Sequence, residues 1–184
     1  IIGILVTFSP EFTKELAGAS DVNAGQAVMW AYVGLATGDL ASGLISQVLR
    51  SRRKTVLVFL VICVLMITWY LFSPARSVTE TYLHTALLGF AAGYWAVFVT
   101  TAAEKFGTNL RATVATTVPT FVRGALAPSL IAFNALRHNS SPIIQGHPLV
   151  SAAVIVGGVT MVLAFIGWAT LKETYGKDLD YIET

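Results

Sequence analysis

One basic side chain lies within an apolar segment that is long enough to cross a membrane. The stretch TVPTFVRGALAPSL, residues 117–130, is almost wholly apolar, and its single charged residue is Arg123. An arginine at the centre of a membrane helix costs about 2.5–3.5 kcal/mol on the insertion scale, so the side chain needs a partner. Its fixed fork of donors suits a planar carboxylate better than a lysine ammonium does. The residue therefore indicates either a buried ion pair or a site for an anionic group.

Asp39 is the acidic counterpart of this arginine in the apolar segments. It lies ten residues before Leu49, or ~15 Å along a helix, and Arg123 lies ~18 Å from Arg111 by the same rise. The two charges are thus expected at similar depths on two different helices. One hypothesis is a structural pair, formed between them or with partners outside this chain. The other is that Arg123 binds an anionic ligand while Asp39 takes a proton or a cation.

Two further sets of side chains could complete such a site. Thr116, Thr120 and Arg123 are spaced four and three residues apart, so they share one face of a helix. Tyr94 and Trp95 could stack on an aromatic or sugar ring, although aromatic residues more often serve packing. We predict that these five residues and Asp39 contribute to one ligand site.

The elements that position these residues are predicted to be membrane helices. The chain is 55% hydrophobic and 12% charged, whereas a soluble domain carries about 25% charged residues. Its mean hydropathy is +0.70. A helix of roughly 20 apolar residues spans the hydrocarbon core, and five segments qualify: 24–49, 55–72, 82–103, 112–136 and 149–171. We predict one all-α transmembrane domain over residues 1–184, in which 1–8 is the end of a sixth helix.

The connecting segments predict the orientation of these helices. Eight Lys and Arg residues follow the first, third and fifth full spans, against three on the other side. Positive residues favour the cytoplasmic side, so the tail 172–184 is predicted to be cytoplasmic in a multi-pass protein of the plasma membrane. A net charge of +2 is too small to favour nucleic-acid binding.

Small residues recur at the spacing of packed membrane helices. Gly34, Gly38 and Ser42 are four residues apart, and Gly89 and Gly93 repeat this spacing in the third full span. Such positions let two helix backbones approach closely. We expect a packed bundle rather than separate helices in lipid.

Two prolines flank the arginine in the fourth full span. Pro119 and Pro128 each remove a backbone donor, so the helix around Arg123 is expected to kink or loosen. Broken helices often line ligand cavities in membrane transport proteins.

Enzyme chemistry finds little support in the sequence. The chain has no Gly-x-Ser-x-Gly elbow, no His-Glu-x-x-His pair and no phosphate loop. We therefore expect a protein that is not an enzyme and that needs no cofactor or metal.

Three stretches together resemble one family of membrane proteins. AAEKFGTNLRAT, residues 102–113, resembles the segment between helices ten and eleven of major facilitator transporters of the sugar-porter and organic-ion type. LKETYGKDLDYIE, residues 171–183, is similar to their Pro-Glu-Thr-Lys-Gly tail, and SGLISQVLRSRRK, residues 42–54, to their loop between helices eight and nine. Departures are Gln47 in place of an aspartate, Lys172 in place of a proline, and GYWAVF in place of a Gly-Pro-x-Pro element.

The resemblance implies the fold and the transport class. This chain would be the C-terminal half of a major facilitator fold, from the end of helix seven through helix twelve, and its partner would be the N-terminal six-helix half. The whole would move a small solute by alternating access, and a proton on Asp39 would make it a symporter. An organic anion is the expected solute; a sugar or polyol porter, a channel or a non-transporting receptor are the alternatives. The resemblance also implies a group of gating residues at the cytoplasmic surface: Glu104, Arg111, Arg50, Arg52 and Arg53. For Arg50, Arg52 and Arg53, the alternative is a solvated cluster that only sets the orientation in the membrane.

Overall fold

A computed structural model of the chain describes residues 1–17, 21–73, 77–139, 143–144 and 146–176. All regular structure in these ranges is helical, in the order α1 Ile2–Thr7, α2 Ser9–Ala17, α3 Ala24–Val48, α4 Arg52–Phe72, α5 Val78–Ala92, α6 Trp95–Ala103, α7 Thr108–Gly124, α8 Leu126–Asn139 and α9 Pro148–Ala169. The all-α prediction is confirmed over the described residues. Arg76, Lys177 and the end of the predicted tail lie outside them.

Five helical units are long and apolar enough to cross a membrane: Ala24–Val48, Arg52–Phe72, Val78–Ala103, Thr108–His138 and Pro148–Ala169. This agrees with the prediction of a multi-pass membrane helix bundle. The third unit comprises α5 and α6, and the fourth comprises α7 and α8.

The helices begin where side chains can satisfy their first backbone donors. Asn23 accepts hydrogen bonds from the N–H groups of Gly25 and Gln26 at the start of α3. Ser51 accepts from the Lys54 N–H at the start of α4. Ser77 and Glu80 form a reciprocal capping box on α5. These caps define the first residues of three apolar helices. The hydrophobic pattern alone does not show where these helices begin.

Two spans that were predicted as continuous are broken. α5 ends at Ala92, and α6 begins two residues beyond Gly93. The other break, at Ala125, follows from Pro128, which lacks an N–H and whose ring would clash with the carbonyl of Gly124 in a continuous helix. The expected loosening near Arg123 is therefore present directly after Gly124, whereas Pro119 lies inside α7 without interrupting it.

The first predicted segment, 1–8, is longer than expected. The helix continues past Phe8 as α2, with Pro10 in the first turn of that second helix. α1 and α2 pack into the core, where Phe12 is buried with its ring centroid 5.8 Å from that of Tyr70 and 6.3 Å from that of Phe133. The segment is thus an integral part of the bundle.

The contact between α3 and α5 has almost no side chains in it. A Cβ atom on Gly34 would lie 1.8 Å from the Ala86 carbonyl oxygen, and one on Gly89 would lie 1.9 Å from that of Ala31. A Cβ on Gly38 would lie 2.3 Å from the Phe90 carbonyl oxygen. The close approach that the glycine spacing predicts is confirmed.

The connecting segments meet at two ends of the bundle. At the first, called the basic end, Arg52 at the start of α4 contacts Glu104 after α6 at 3.0 Å, and the segment after α9 joins them. At the other, called the opposite end, Glu11 of α2 forms a 2.7 Å ion pair with Arg137 of α8, and the Asn23 N–H donates to the Tyr82 hydroxyl. Successive spans thus alternate in direction, as the sequence predicts.

Replacing Gly34 with alanine should force α3 and α5 apart. We expect the free energy of unfolding to fall by about 1–3 kcal/mol, because the added methyl group meets backbone that cannot move aside cheaply. Equilibrium unfolding in detergent micelles measures this change.

Gly43→Ala on the same helix is the matched control. Nothing lies within 4 Å of a Cβ at Gly43, so this variant should keep or slightly raise the stability. Equal stability of the two variants would contradict a close α3–α5 contact.

Replacing Arg50 with glycine should stabilise the fold. Arg50 joins α3 to α4 with a φ of 47°, in the left-handed region. Glycine adopts this conformation without the steric cost that arginine has, although it loses more conformational entropy on folding. The free energy of unfolding should therefore rise by about 0.5–1 kcal/mol. Arg50→Ala removes the charge but keeps the strain, so thermal unfolding should show no gain for it; the same gain for both variants would show a charge effect instead.

Candidate functional site

The start of α6 lies against α3 because two glycines meet there. A Cβ on Gly93 would lie 2.3 Å from the carbonyl carbon of Gly38, so the two backbones are in direct contact. The next residue on α3, Asp39, accepts a hydrogen bond from the Ala96 N–H at 3.2 Å through its Oδ1. The first N–H groups of a helix have no partner within the helix. Asp39 therefore caps α6 from the neighbouring helix α3.

Arg123 reaches the same turn from α7. Its guanidinium carbon lies 5.7 Å from the centroid of the Trp95 ring, within the range of a cation–π interaction. Trp95 and Ala96 are consecutive, so both charged residues contact the first turn of α6. In the described part of the chain, no ion pair joins Arg123 to Asp39.

The threonines on the face of Arg123 bond to their own helix. The Thr116 hydroxyl contacts the Ala112 and Thr113 carbonyls, and the Thr120 hydroxyl donates to the Thr116 carbonyl at 3.0 Å. All of these threonine side chains and Arg123 are exposed, and α7 has no buried residue. This face of α7 is exposed and presents one guanidinium among hydroxyl and apolar groups.

Tyr94 and Trp95 line a cavity of about 450 Å³ between α4, α6, α7 and α9. Tyr94 also packs against Phe59 in the core, with ring centroids 6.4 Å apart. Tyr94 and Trp95 therefore form one wall of this cavity, and one face of the Trp95 ring lies toward Arg123.

A second polar cluster holds the basic end together. Arg52 donates to Glu104 Oε1 at 3.0 Å and to the Ser46 hydroxyl at 2.8 Å. The other oxygen of Glu104 accepts from the Thr174 hydroxyl at 2.6 Å. One guanidinium and one carboxylate thus connect α3, α4, the end of α6 and the segment after α9.

Glu173 caps α4 from outside that helix. Its carboxylate accepts from the Ser51 hydroxyl and from the Arg52 N–H at 2.9 Å, and also from the N–H groups of Thr174 and Tyr175. Partial desolvation raises the pKa of Glu173, but the hydrogen bonds from Ser51 and from backbone N–H groups outweigh it and lower the pKa to about 2. Sequence reasoning missed Glu173 and Thr174 as individual residues, although they lie in the tail stretch LKETYGKDLDYIE.

The other predicted gating residues lie at the same end. Arg53 places its guanidinium 4.9 Å from the Trp168 ring centroid, and its carbonyl accepts from the Trp168 indole at 2.9 Å. Arg111 is in the first turn of α7, and Arg50 forms the connection before α4. Glu104 and Arg52 are in direct contact at 3.0 Å, whereas their role in gating stays a prediction.

No metal centre is evident in the described ranges: no group of three or more His, Cys, Asp or Glu side chains could hold an ion there. The polar groups of the candidate site are the Arg123 guanidinium, the Asp39 carboxylate and the N-terminus of α6.

Comparison with known proteins finds no matching family model, no matching curated protein and no matching solved structure. The class that the fold defines is therefore an all-helical bundle with five candidate membrane spans.

Glu173 should make stability depend on pH in a defined direction. Because its pKa is lower in the folded protein than the ordinary 4.5, its stabilising effect is complete above pH 4.5 and is lost as the pH falls toward 2. Glu173→Gln should therefore lower the Tm at pH 7, and the gap to wild type should shrink below pH 4.5. A gap of equal size at pH 7 and pH 2.5 would contradict a charged cap.

Proposed function

We propose that this chain is the C-terminal half of a secondary transporter of the major facilitator type. In the complete protein, an N-terminal six-helix half would cover the exposed face of α7, and a small organic anion would bind between the halves. Transport would proceed by alternating access, with the basic end in the cytoplasm, as the distribution of Lys and Arg favours.

The observation that carries this proposal is the position of Arg123. It lies near mid-depth of an apolar span, on a face of α7 that is exposed, and it contacts Trp95 rather than a carboxylate. A cation at that depth with no acidic partner in the described chain is suited to an anionic ligand. The adjacent N-terminus of α6 adds a second source of positive potential.

Asp39 supplies a means of coupling to protons. Its carboxylate accepts the hydrogen bond of the Ala96 N–H. An anion bound by Arg123 would be stabilised most by the helix N-terminus at this same N–H. Two negative groups so close repel each other, and a proton on Asp39 removes that repulsion. The anion and a proton would then bind together, as in a symporter.

The cluster at the basic end supports movement of this half as one body. Alternating access requires each half to keep its internal packing while the halves rotate. Arg52 and Glu104 connect three spans and the segment after α9, so separation of the halves need not break contacts inside this one.

Substitution of Arg123 tests the proposed anion site. In the complete protein, a panel of small carboxylates, sugars and amines is screened by thermal shift, followed by uptake into proteoliposomes. We expect a carboxylate to stabilise wild type, and Arg123→Gln to weaken its binding by about 10- to 150-fold, the value of a charged hydrogen bond. Asp39→Asn should bind the same carboxylate without the wild-type dependence on pH.

Arg137→Gln is the matched control, because it removes an arginine from the opposite end and should leave the ligand response intact. Stabilisation by a sugar or an amine, unchanged in Arg123→Gln, would overturn the anion assignment. Flux that never accumulates solute against a gradient would indicate a channel, and binding without flux a receptor.

A further inference from the structure

The cavity between α4, α6, α7 and α9 is lined almost wholly by apolar groups. Its volume is about 450 Å³, and its walls include Trp95, Phe98, Phe106 and Trp168. The hydroxyl of Thr101, one of its few polar lining groups, donates to the Val97 carbonyl at 2.6 Å. A polar solute would therefore find few groups to replace its lost water, whereas a hydrocarbon chain would find a complementary surface.

The shape of the cavity also favours a chain-like occupant. Its lining extends from Tyr94 at the break before α6 to Lys105 beyond the end of that helix, which is ~16 Å along a helix axis. From α7 only Val122 contributes to the lining. The cavity thus runs lengthwise along the bundle, from mid-depth to the basic end.

Cationic side chains lie where the cavity reaches the basic end. Arg53 packs its guanidinium on Trp168, a lining residue, at 4.9 Å. Its Nη2 donates to the Ala169 carbonyl at 3.4 Å, and its Nε is buried without a hydrogen-bond partner within the described ranges. The exposed Lys54 follows it, and Lys172 follows the lining residue Leu171. A half-buried guanidinium with two lysines near it, at the end of an apolar cavity, suits a phosphate attached to a hydrocarbon chain.

We propose that this cavity binds one anionic phospholipid, with an acyl chain inside and the phosphate at Arg53. Basic pockets between membrane helices are a recognised site for anionic lipid head groups. The head-group site is separate from the proposed solute site, since Arg53 lies at the basic end and Arg123 at mid-depth, although Tyr94 and Trp95 border both. The bound lipid would fill the space between α7 and α9 and would stabilise the packing of these two helices.

Native mass spectrometry of the complete protein in detergent tests this site. The delipidated protein is titrated with phosphatidylglycerol or with phosphatidylcholine of the same acyl chains. We expect one phosphatidylglycerol to bind more tightly than phosphatidylcholine, and Arg53→Gln to reduce this affinity about fivefold. Arg50→Gln, which removes a charge from the same end but not from the cavity, should leave the affinity unchanged.

Filling the cavity tests the position of the chain. Nothing lies within 4 Å of a Cβ at Gly167, a lining residue, so Gly167→Phe should occupy the space and abolish the tight phosphatidylglycerol adduct. Gly43→Phe adds the same side chain to open space on α3 and should keep the adduct. If Gly167→Phe does not fold, Ala164→Phe fills the cavity from the previous turn of α9.

Two results would overturn the proposal. Tight binding that survives in a folded cavity-filling variant would place the lipid elsewhere. Equal affinity for phosphatidylcholine, or an affinity for phosphatidylglycerol that Arg53→Gln leaves unchanged, would show that the site does not recognise an anionic head group.

Discussion

The contact between Gly38 and Gly93 is the constraint on which the candidate site depends. A Cβ on Gly38 would lie 2.3 Å from the Phe90 carbonyl oxygen, and one on Gly93 would lie 2.3 Å from the Gly38 carbonyl carbon. Because no side chain separates α3 from the break before α6, the carboxylate of Asp39 reaches the Ala96 N–H directly. The same turn then presents Trp95 to α7. Any larger residue at either glycine would move both charged groups relative to each other.

Among the described residues, carboxylates distant in sequence cap helix N-termini at three places. Asp39 caps α6, Glu173 caps α4 at the Arg52 N–H, and Glu15 caps α9 at the Leu149 N–H at 3.1 Å. A backbone donor without a partner is costly in an apolar medium, and a negative charge is favoured at a helix N-terminus. Each cap also joins segments that are far apart in the sequence. It therefore fixes the relative positions of helix ends, which apolar packing alone specifies weakly.

Composition and spacing were enough to predict the spans and their close packing. Apolar length depends only on local sequence, and Gly34 and Gly89 mark a contact that their spacing reveals. The partner of Asp39 was not predictable, because it is the backbone N–H of Ala96, which no residue type signals. The breaks were harder for a related reason: Pro128 hinted at one, whereas the one at Gly93 follows from tertiary contact. Glu173 was missed because its role depends on where the segment after α9 folds back.

The proposed anion site accounts for the energetics of Arg123. Inserting an arginine at mid-depth costs about 2.5–3.5 kcal/mol, and a cation–π contact offsets about 0.5–2 kcal/mol of that. The contact with Trp95 at 5.7 Å is near the outer limit of such interactions, so its contribution belongs in the lower part of that range. Part of the insertion cost therefore has no compensation among the described residues. Under the proposed function, an anion bound at the exposed face of α7 would recover that remaining free energy.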